Sequence, residues 1–332
     1  MGRITIIGLG VIGGSIALGL KQAAKEIEIA GVSRTPETAS RARRAGAIDL
    51  EPRSIEEAVA GAQMVILASP ILSIAPLMEA MAPHLSPDTI VTDAASTKGV
   101  VARWAREKLP AGVHFVGGHP MAGKEITGFD AAEAELFSGK PWVIAPSVDA
   151  PEAAVNAVIG LAEALGARPV FMDAEEHDAY VAAVSHLPLT VASALFSMAF
   201  ESQAWPELAA LASSGFRDTT RLASGAPELA HDIVQTNRRN LLHWIDRFQQ
   251  ELARYRNVIE SGDSRAIAEL FAKPQLERDN YLINGPPKRE SERGEAPRIG
   301  ISDFLLGSKL ADMMRKQEDI IKASEQRARD KR

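Results

Sequence analysis

Cysteine is absent from all 332 residues, which rules out disulfides, thiol nucleophiles and thiolate metal sites and fits a reducing compartment. Aromatic residues are scarce, at 5%. No uninterrupted apolar run approaches the roughly 18 residues of a membrane span, and a strand beginning by Ile4 leaves no room for a signal or transit peptide. An excess of basic residues is missing too: 37 Lys and Arg stand against 43 Asp and Glu, a net charge of −6. With a pI near 5.7, the chain has no general attraction for nucleic acid or an anionic membrane. The expectation is a cytoplasmic protein with neither as partner. What remains is an ordinary composition, 46% apolar and 24% charged, in a chain long enough for two domains with proper cores.

The most informative stretch lies at the start. A β-branched run, Arg3 to Ile7, meets a glycine cluster and then an alanine- and leucine-rich segment from Ile16 to Lys25, a strand–turn–helix pattern. Gly8, Gly10 and Gly13 hold the G-x-G-x-x-G spacing of a dinucleotide site: a tight turn, room for a pyrophosphate against the backbone, and close helix–strand packing. Leu9, Val11 and Ile12 fill the intervening positions, and their backbone shares the contact. The helix N-terminus then offers free N–H groups and positive dipole to the phosphates. A second strand over Glu26 to Val32 ends in Ser33-Arg34-Thr35. NAD-specific units normally place an acid there for the ribose 2′-OH, whereas NADP sites lack it and add an arginine. Ser33 and Arg34 therefore favour NADP, with NAD as the alternative. Arg41, Arg43 and Arg44 fit a solvated helix face.

Further along, Ser54 caps a short helix to Ala60, with Glu57 completing a capping box. Strands over Met64 to Ala68, Thr89 to Thr92 and Val113 to Val116 alternate with helices over Ile71 to Met81 and Val101 to Lys108. Two more strands, Trp142 to Ala145 and Pro169 to Met172, flank a helix from Ala153 to Leu165. This alternation is that of an α/β, Rossmann-type, doubly wound parallel sheet, with ligands outside the carboxyl ends of the strands. Ser69, Pro70, Asp93 and Ser96 all stand at such ends. Gly117-Gly118-His119-Pro120-Met121-Ala122-Gly123 is expected to be a loop presenting one imidazole between small residues. From Glu175 strand signals vanish. Helical stretches run over Glu175 to Glu201, with a kink expected at Pro188, over Pro227 to Glu260 and over Ser264 to Leu276. The expected division is a dinucleotide-binding domain at 1–173, an all-helical substrate and dimerisation domain at 174–284, and a linker and tail at 285–332.

Five motifs in series carry a resemblance. Gly8-Leu9-Gly10-Val11-Ile12-Gly13-Gly14-Ser15, Asp93-x-x-Ser96-x-Lys98, Gly118-His119-Pro120-Met121-Ala122-Gly123, Ser185-His186-Leu187-Pro188 and Gly215-Phe216-Arg217-Asp218-Thr219-Thr220-Arg221 resemble, in order from Gly2 to Asn280, the prephenate/arogenate dehydrogenase family of tyrosine biosynthesis. The resemblance implies oxidative decarboxylation of a cyclohexadienol: hydride passes to the nicotinamide, carbon dioxide leaves the opposite ring carbon, and the ring becomes aromatic. On that footing His119 matches the histidine that bonds the ring hydroxyl as a general base, and Ser96 the serine that contacts the same hydroxyl. Arg221 matches an arginine that binds a substrate carboxylate. Glu125 matches a glutamate at the mouth of the site, with a gating or substrate-contact role, and His186 is a substrate contact or a packed, hydrogen-bonded core histidine.

Leu189 departs from the pattern, since many prephenate-using members carry a histidine directly after Ser-His-Leu-Pro. Members with an apolar residue there and a Ser-Arg cofactor loop resemble NADP-linked arogenate dehydrogenases. Arogenate bears an amino group where prephenate bears a keto oxygen, so a pocket short of cations favours it. A homodimer through the helical region is expected, because long apolar helices after a complete nucleotide-binding unit need a partner surface. A β-hydroxyacid or ketol-acid type of dehydrogenase is the rival within enzymes, but no lysine occurs between Ala174 and Glu201 to serve it. A dinucleotide sensor without turnover is the rival outside them, and the His119 and Ser96 pair argues against it.

Overall fold

The computed structural model describes residues 2–24, 26–124 and 126–286. Strands β1 (Arg3–Ile7), β2 (Glu28–Val32), β3 (Met64–Leu67), β4 (Ile90–Asp93), β5 (His114–Pro120), β6 (Pro141–Pro146) and β7 (Arg168–Phe171) form one seven-stranded sheet in the order β2-β1-β3-β4-β5-β6-β7. Alternation along each strand decides which face each side chain meets. Ile4, Ile6, Met64 and Ile66 enter one apolar cluster, whereas Ile7, Val65 and Leu67 enter a second. Helices α1 (Val11–Ala23) and α2 (Pro36–Arg44) contribute to the first cluster. The second takes in α3 (Ile55–Val59), α4 (Ile71–Met81) and α5 (Gly99–Lys108). Helix α6 (Glu152–Ala164) returns to the first. Both faces are thus covered, as an α/β sheet requires. Ser54 accepts from Glu57 N at 3.1 Å as the expected cap, and the Glu57 carboxylate reaches back to Arg53 N at 2.8 Å.

Two local expectations change. The sheet is parallel from β2 to β5, but β6 runs antiparallel to β5, and β7 is parallel to β6. The same reversal removes the loop expected around His119. That residue lies on β5, paired with Val143, and is 9% exposed. Its glycines serve packing and do not free the imidazole. A Cβ on Gly118 would stand 2.6 Å from Asp93 O and 3.0 Å from Trp142 Nε1, so only glycine lets the fully buried indole and β4 close on β5.

The helical half begins with α7 (Ala174–Val181), which continues through a π-turn (Ala182–His186) into α8 (Leu187–Phe200). The interruption expected at Pro188 takes the form of this turn: Leu187 N bonds Ala182 O, five residues back, and the widened ring accommodates the missing proline N–H. The joined segment spans 27 residues and contains an 18-residue window of mean hydropathy 1.6, long and apolar enough by length and composition to cross a membrane, with 22% of that window buried. Then follow α9 (Trp205–Leu211), α10 (Ser214–Thr220), a 3-10 turn (Arg221–Ser224) and α11 (Pro227–Thr236). Asn237, at φ −124°, separates α11 from α12 (Arg238–Ser261), so the single helix expected from 227 is two. The described residues fall into two compact units divided between Arg238 and Arg239. In the second unit α12 and α13 (Ser264–Asn284) meet at Tyr255 and Phe271, whose ring centroids lie 5.8 Å apart. Asp263 caps α13, accepting from Arg265 N and Ala266 N. The expected linker from Pro287 onward, the tail and Glu125 lie outside the described residues.

Candidate active site

Strands β1, β3, β4 and β5 deliver their carboxyl ends to one cleft. Its first cavity, of about 660 Å³, is walled by Leu9, Val32, Ser33, Arg34, Thr35 and Leu77, among others. Its second, of about 330 Å³, holds Ser96, His119, Lys124, Glu228, Val11 and Ile12. Gly10, Ala68, Ser69, Pro70 and Gly128 line both, so the cleft is continuous.

The glycine turn fits a dinucleotide on steric grounds. Gly8 has φ +105°, and a Cβ there would lie 2.5 Å from Ala68 O. A Cβ on Gly13 would lie 1.8 Å from Gly8 O, whereas one on Gly10 would meet nothing within 4 Å. Gly8 and Gly13 therefore hold α1 against the turn, and Gly10 leaves the approach to the backbone open. Gly14 N makes the first α1 bond, to Gly10 O, so the amides of Val11, Ile12 and Gly13 remain for an anion. Among the described residues no Asp or Glu lines the first cavity, and exposed Arg34 stands on its wall. Arg41, Arg43 and Arg44 are exposed, with Arg41 3.7 Å from Asp130.

Ser96 and His119 line the second cavity together; among the described residues no hydrogen bond joins them. Three other residues singled out in the sequence stand elsewhere. Asp93, placed among the cofactor contacts, has a fully buried and committed carboxylate. It accepts from Gly118 N at 3.1 Å and Ala95 N at 3.0 Å, and forms an ion pair with Lys98, itself 1% exposed. Arg221 sits exposed on the 3-10 turn and lines neither cavity; among the described residues the cation lining the second is Lys124. His186 is 1% exposed and lines neither cavity: Asn237 Nδ2 bonds its Nδ1 at 3.1 Å and also donates to Asp178 O at 2.7 Å, while its Nε2 is buried without a partner. His186 is thus packed and hydrogen-bonded within the core. Burial lowers its pKa to about 4, against the pull of Asp178.

The network beneath His119 was not legible from spacing. Its Nδ1 meets His177 Nε2 at 2.8 Å, and His177 Nδ1 meets Asp178 Oδ1 at 2.8 Å. Asp178 also accepts from Lys98 N at 2.7 Å and Gly99 N at 2.9 Å, at the first turn of α5, where the dipole favours an anion. Burial first, then His177, Lys98 and His186, hold the His119 pKa well below the usual imidazole range. The ring is therefore neutral, as a base must be before it acts. Burial also lowers the Lys98 pKa, opposed by Asp93 and Asp178. Glu228 is likewise missed in the sequence. Helix α11 is tied to the cleft by Leu72 N to Asp232 Oδ2 at 3.1 Å and Thr97 Oγ1 to Thr236 Oγ1 at 3.0 Å, which carries the exposed Glu228 to the wall. Nothing local distinguishes Glu228 from an ordinary acid in a helix's first turn.

Comparison with known proteins gives consistent matches. Residues 16–171 match the family described as prephenate dehydrogenase, nucleotide-binding domain, and residues 173–273 match prephenate dehydrogenase, dimerization domain. Prephenate dehydrogenase of Bacillus subtilis is 34% identical over 282 residues, covering 84% of this chain and 76% of that one. The crystal structure of Synechocystis arogenate dehydrogenase aligns at TM-score 0.73 and 33% identity, over 84% of this chain and 99% of that one. Prephenate dehydrogenase from Aquifex aeolicus, in complex with hydroxyphenyl propionate and NAD+, aligns at TM-score 0.79 and 30% identity, over 84% and 98%.

Proposed function

The chain belongs to the prephenate dehydrogenase family, an NAD(P)-dependent oxidoreductase of the prephenate/arogenate type, and from that premise we propose that arogenate is its preferred substrate and NADP its preferred cofactor. The observation that carries this reading is the charge on the two cavity walls. Among the described residues the first has no acid to accept from a ribose 2′-OH, and it has Arg34 to meet a 2′-phosphate. The second has Glu228, a carboxylate suited to an ammonium, while its cation Lys124 is engaged at 2.5 Å by Glu133 and at 3.0 Å by Ala131 O. Leu189 packs in the apolar cluster with Ile71 and Ile233 and so adds no polar group.

When bound, the nicotinamide supplies the hydride acceptor. The chain does the rest. Gly10 and the free amides at the start of α1 hold the pyrophosphate. His119, neutral and with Nδ1 engaged, offers Nε2 to the ring hydroxyl, and Ser96 on the same wall supplies a second hydrogen bond. Orientation of this kind is worth several kcal/mol, on the order of the gain of bringing reactants together. Homodimer formation through the helical region completes the proposal. Phe196, Phe200, Trp205 and Phe216 cluster with ring centroids 5.7 to 6.4 Å apart, and Phe200 and Met198 are 56% and 68% exposed. A second copy would cover them.

Initial rates in a two-by-two design, arogenate or prephenate with NADP or NAD, test the specificity. Arogenate with NADP is expected to lead by more than tenfold, about 1.4 kcal/mol of transition-state discrimination. A lead for prephenate with NAD overturns both assignments and leaves the family intact. Sedimentation of a monomer would remove the dimer.

A further inference from the structure

We propose that His177 and Asp178 fix the tautomer of His119 and that His177 takes over the positive charge when His119 removes the substrate's hydroxyl proton. The inference rests on the reading of His119 as the base. A carboxylate only accepts hydrogen bonds, and Asp178 already accepts from two backbone N–H groups at the start of α5, where the helix dipole favours an anion. His177 Nδ1, 2.8 Å from Asp178 Oδ1, therefore carries the hydrogen. In neutral His177 the other nitrogen, Nε2, is then a bare acceptor. His119 Nδ1, 2.8 Å away, must be the donor to it. That leaves the lone pair of His119 on Nε2, the nitrogen His177 does not engage, on a ring that lines the cavity. Three buried groups, on α7 and β5, thus impose the base form at a position where either tautomer is intrinsically available.

The same chain can move charge. As the substrate O–H bond breaks, an N–H bond forms at His119 Nε2; the Nδ1–H bond breaks as one forms at His177 Nε2. One proton enters, none is lost, and the unit charge finishes on His177, while the hydride pair goes to the cofactor. His177 is the better resting place. An imidazolium at His119 would face the Lys98 ammonium, whose partner is Asp93, and the neighbouring His186 ring. An imidazolium at His177, which is fully buried, lies directly against the Asp178 carboxylate. Glu175 adds a second acid where both approach Gly99. Asn237, which bridges Asp178 O and His186, is uncharged.

Two substitutions separate the roles. His177→Gln keeps an acceptor for His119 Nδ1–H and a donor for Asp178 but cannot hold a proton; His177→Leu keeps neither. Expected for His177→Gln is a kcat lower by roughly 10- to 100-fold, at the low end of what a proton-transfer partner contributes. Its KM values should stay within about twofold, because a residue that acts through His119 does not bind substrate. The acidic limb of its kcat/KM profile moves up in pH, because His119 loses a neighbour that lowers its pKa. His177→Leu should fall further, towards the roughly 10⁴-fold loss of a base in the wrong tautomer. A His177→Gln enzyme with native kcat and an unmoved acidic limb overturns the charge transfer. Equal activity in both variants overturns the tautomer control. His119→Asn is the control for the premise: if it retains native kcat, the base assignment itself has failed, an outcome distinct from either. Should His177→Leu not fold, the near-isosteric glutamine variant decides alone.

Discussion

Removing the titratable ring at His186 should flatten the acid side of the stability curve. His186 is 1% exposed, and burial holds its pKa near 4 against 6.5 in the unfolded chain. Above pH 6.5 neither state carries the proton, and the residue contributes nothing to the pH dependence. Between pH 6.5 and 4 the unfolded chain binds a proton that the folded chain refuses, so stability falls as pH falls; below pH 4 both are charged and the loss levels off. The shift corresponds to about 3 kcal/mol lost by pH 4. His186→Gln can still accept from Asn237, and it removes this slope while adding a constant cost of its own. Denaturant titrations at fixed protein concentration, from pH 7.5 to 4, give the two slopes. Wild type should lose about 3 kcal/mol more than the variant across the window. Parallel curves would mean that His186 is not held neutral in the folded core, and would refute the assignment of the Asn237 hydrogen bonds.

The other expectations test the cleft directly. Gly13→Ala forces a Cβ to within 1.8 Å of a backbone oxygen, so it should cost about 1–3 kcal/mol of stability and weaken NADP in a fluorescence titration by more than about tenfold; native affinity would show that the turn is not the pyrophosphate site. Lys98→Met leaves the Asp93 carboxylate buried without its cation and should destabilise by about 3–5 kcal/mol, read as a lower Tm and denaturation midpoint. A change under 1 kcal/mol would deny that the pair is ionised. Glu228→Gln should raise KM for arogenate several-fold, the loss of roughly 1 kcal/mol expected at an exposed ion pair, and leave KM for prephenate unchanged. A parallel rise for both substrates would remove Glu228 from amino-group recognition.

Contiguous residues settled what the sequence could show. The run from Arg3 through Gly13 encodes strand, turn and helix within one stretch, because apolar alternation and glycine sterics act between near neighbours. The same holds for the Ser54 cap, for the exact span of α4 and for the absence of an acid beside Ser33 and Arg34. Order among strands and helices likewise announced a Rossmann-type sheet followed by a helical region. Pairing across the sheet was another matter. Whether Gly117-Gly118-His119 is a loop or a strand depends on β6 arriving antiparallel at its edge, and no periodicity within those residues records that. Asp93 looked like a ligand contact because it ends a strand, yet its register turns it inward to Lys98 and Gly118. His177 and Asp178 lie 58 residues or more from His119 and from the start of α5. Hydrogen bonds over such separations form only when packing brings the elements together. The sequence alone therefore determined the nucleotide-binding class and singled out His119; tertiary structure alone decided which buried groups surround that ring and lower its pKa, because they reach it only through packing.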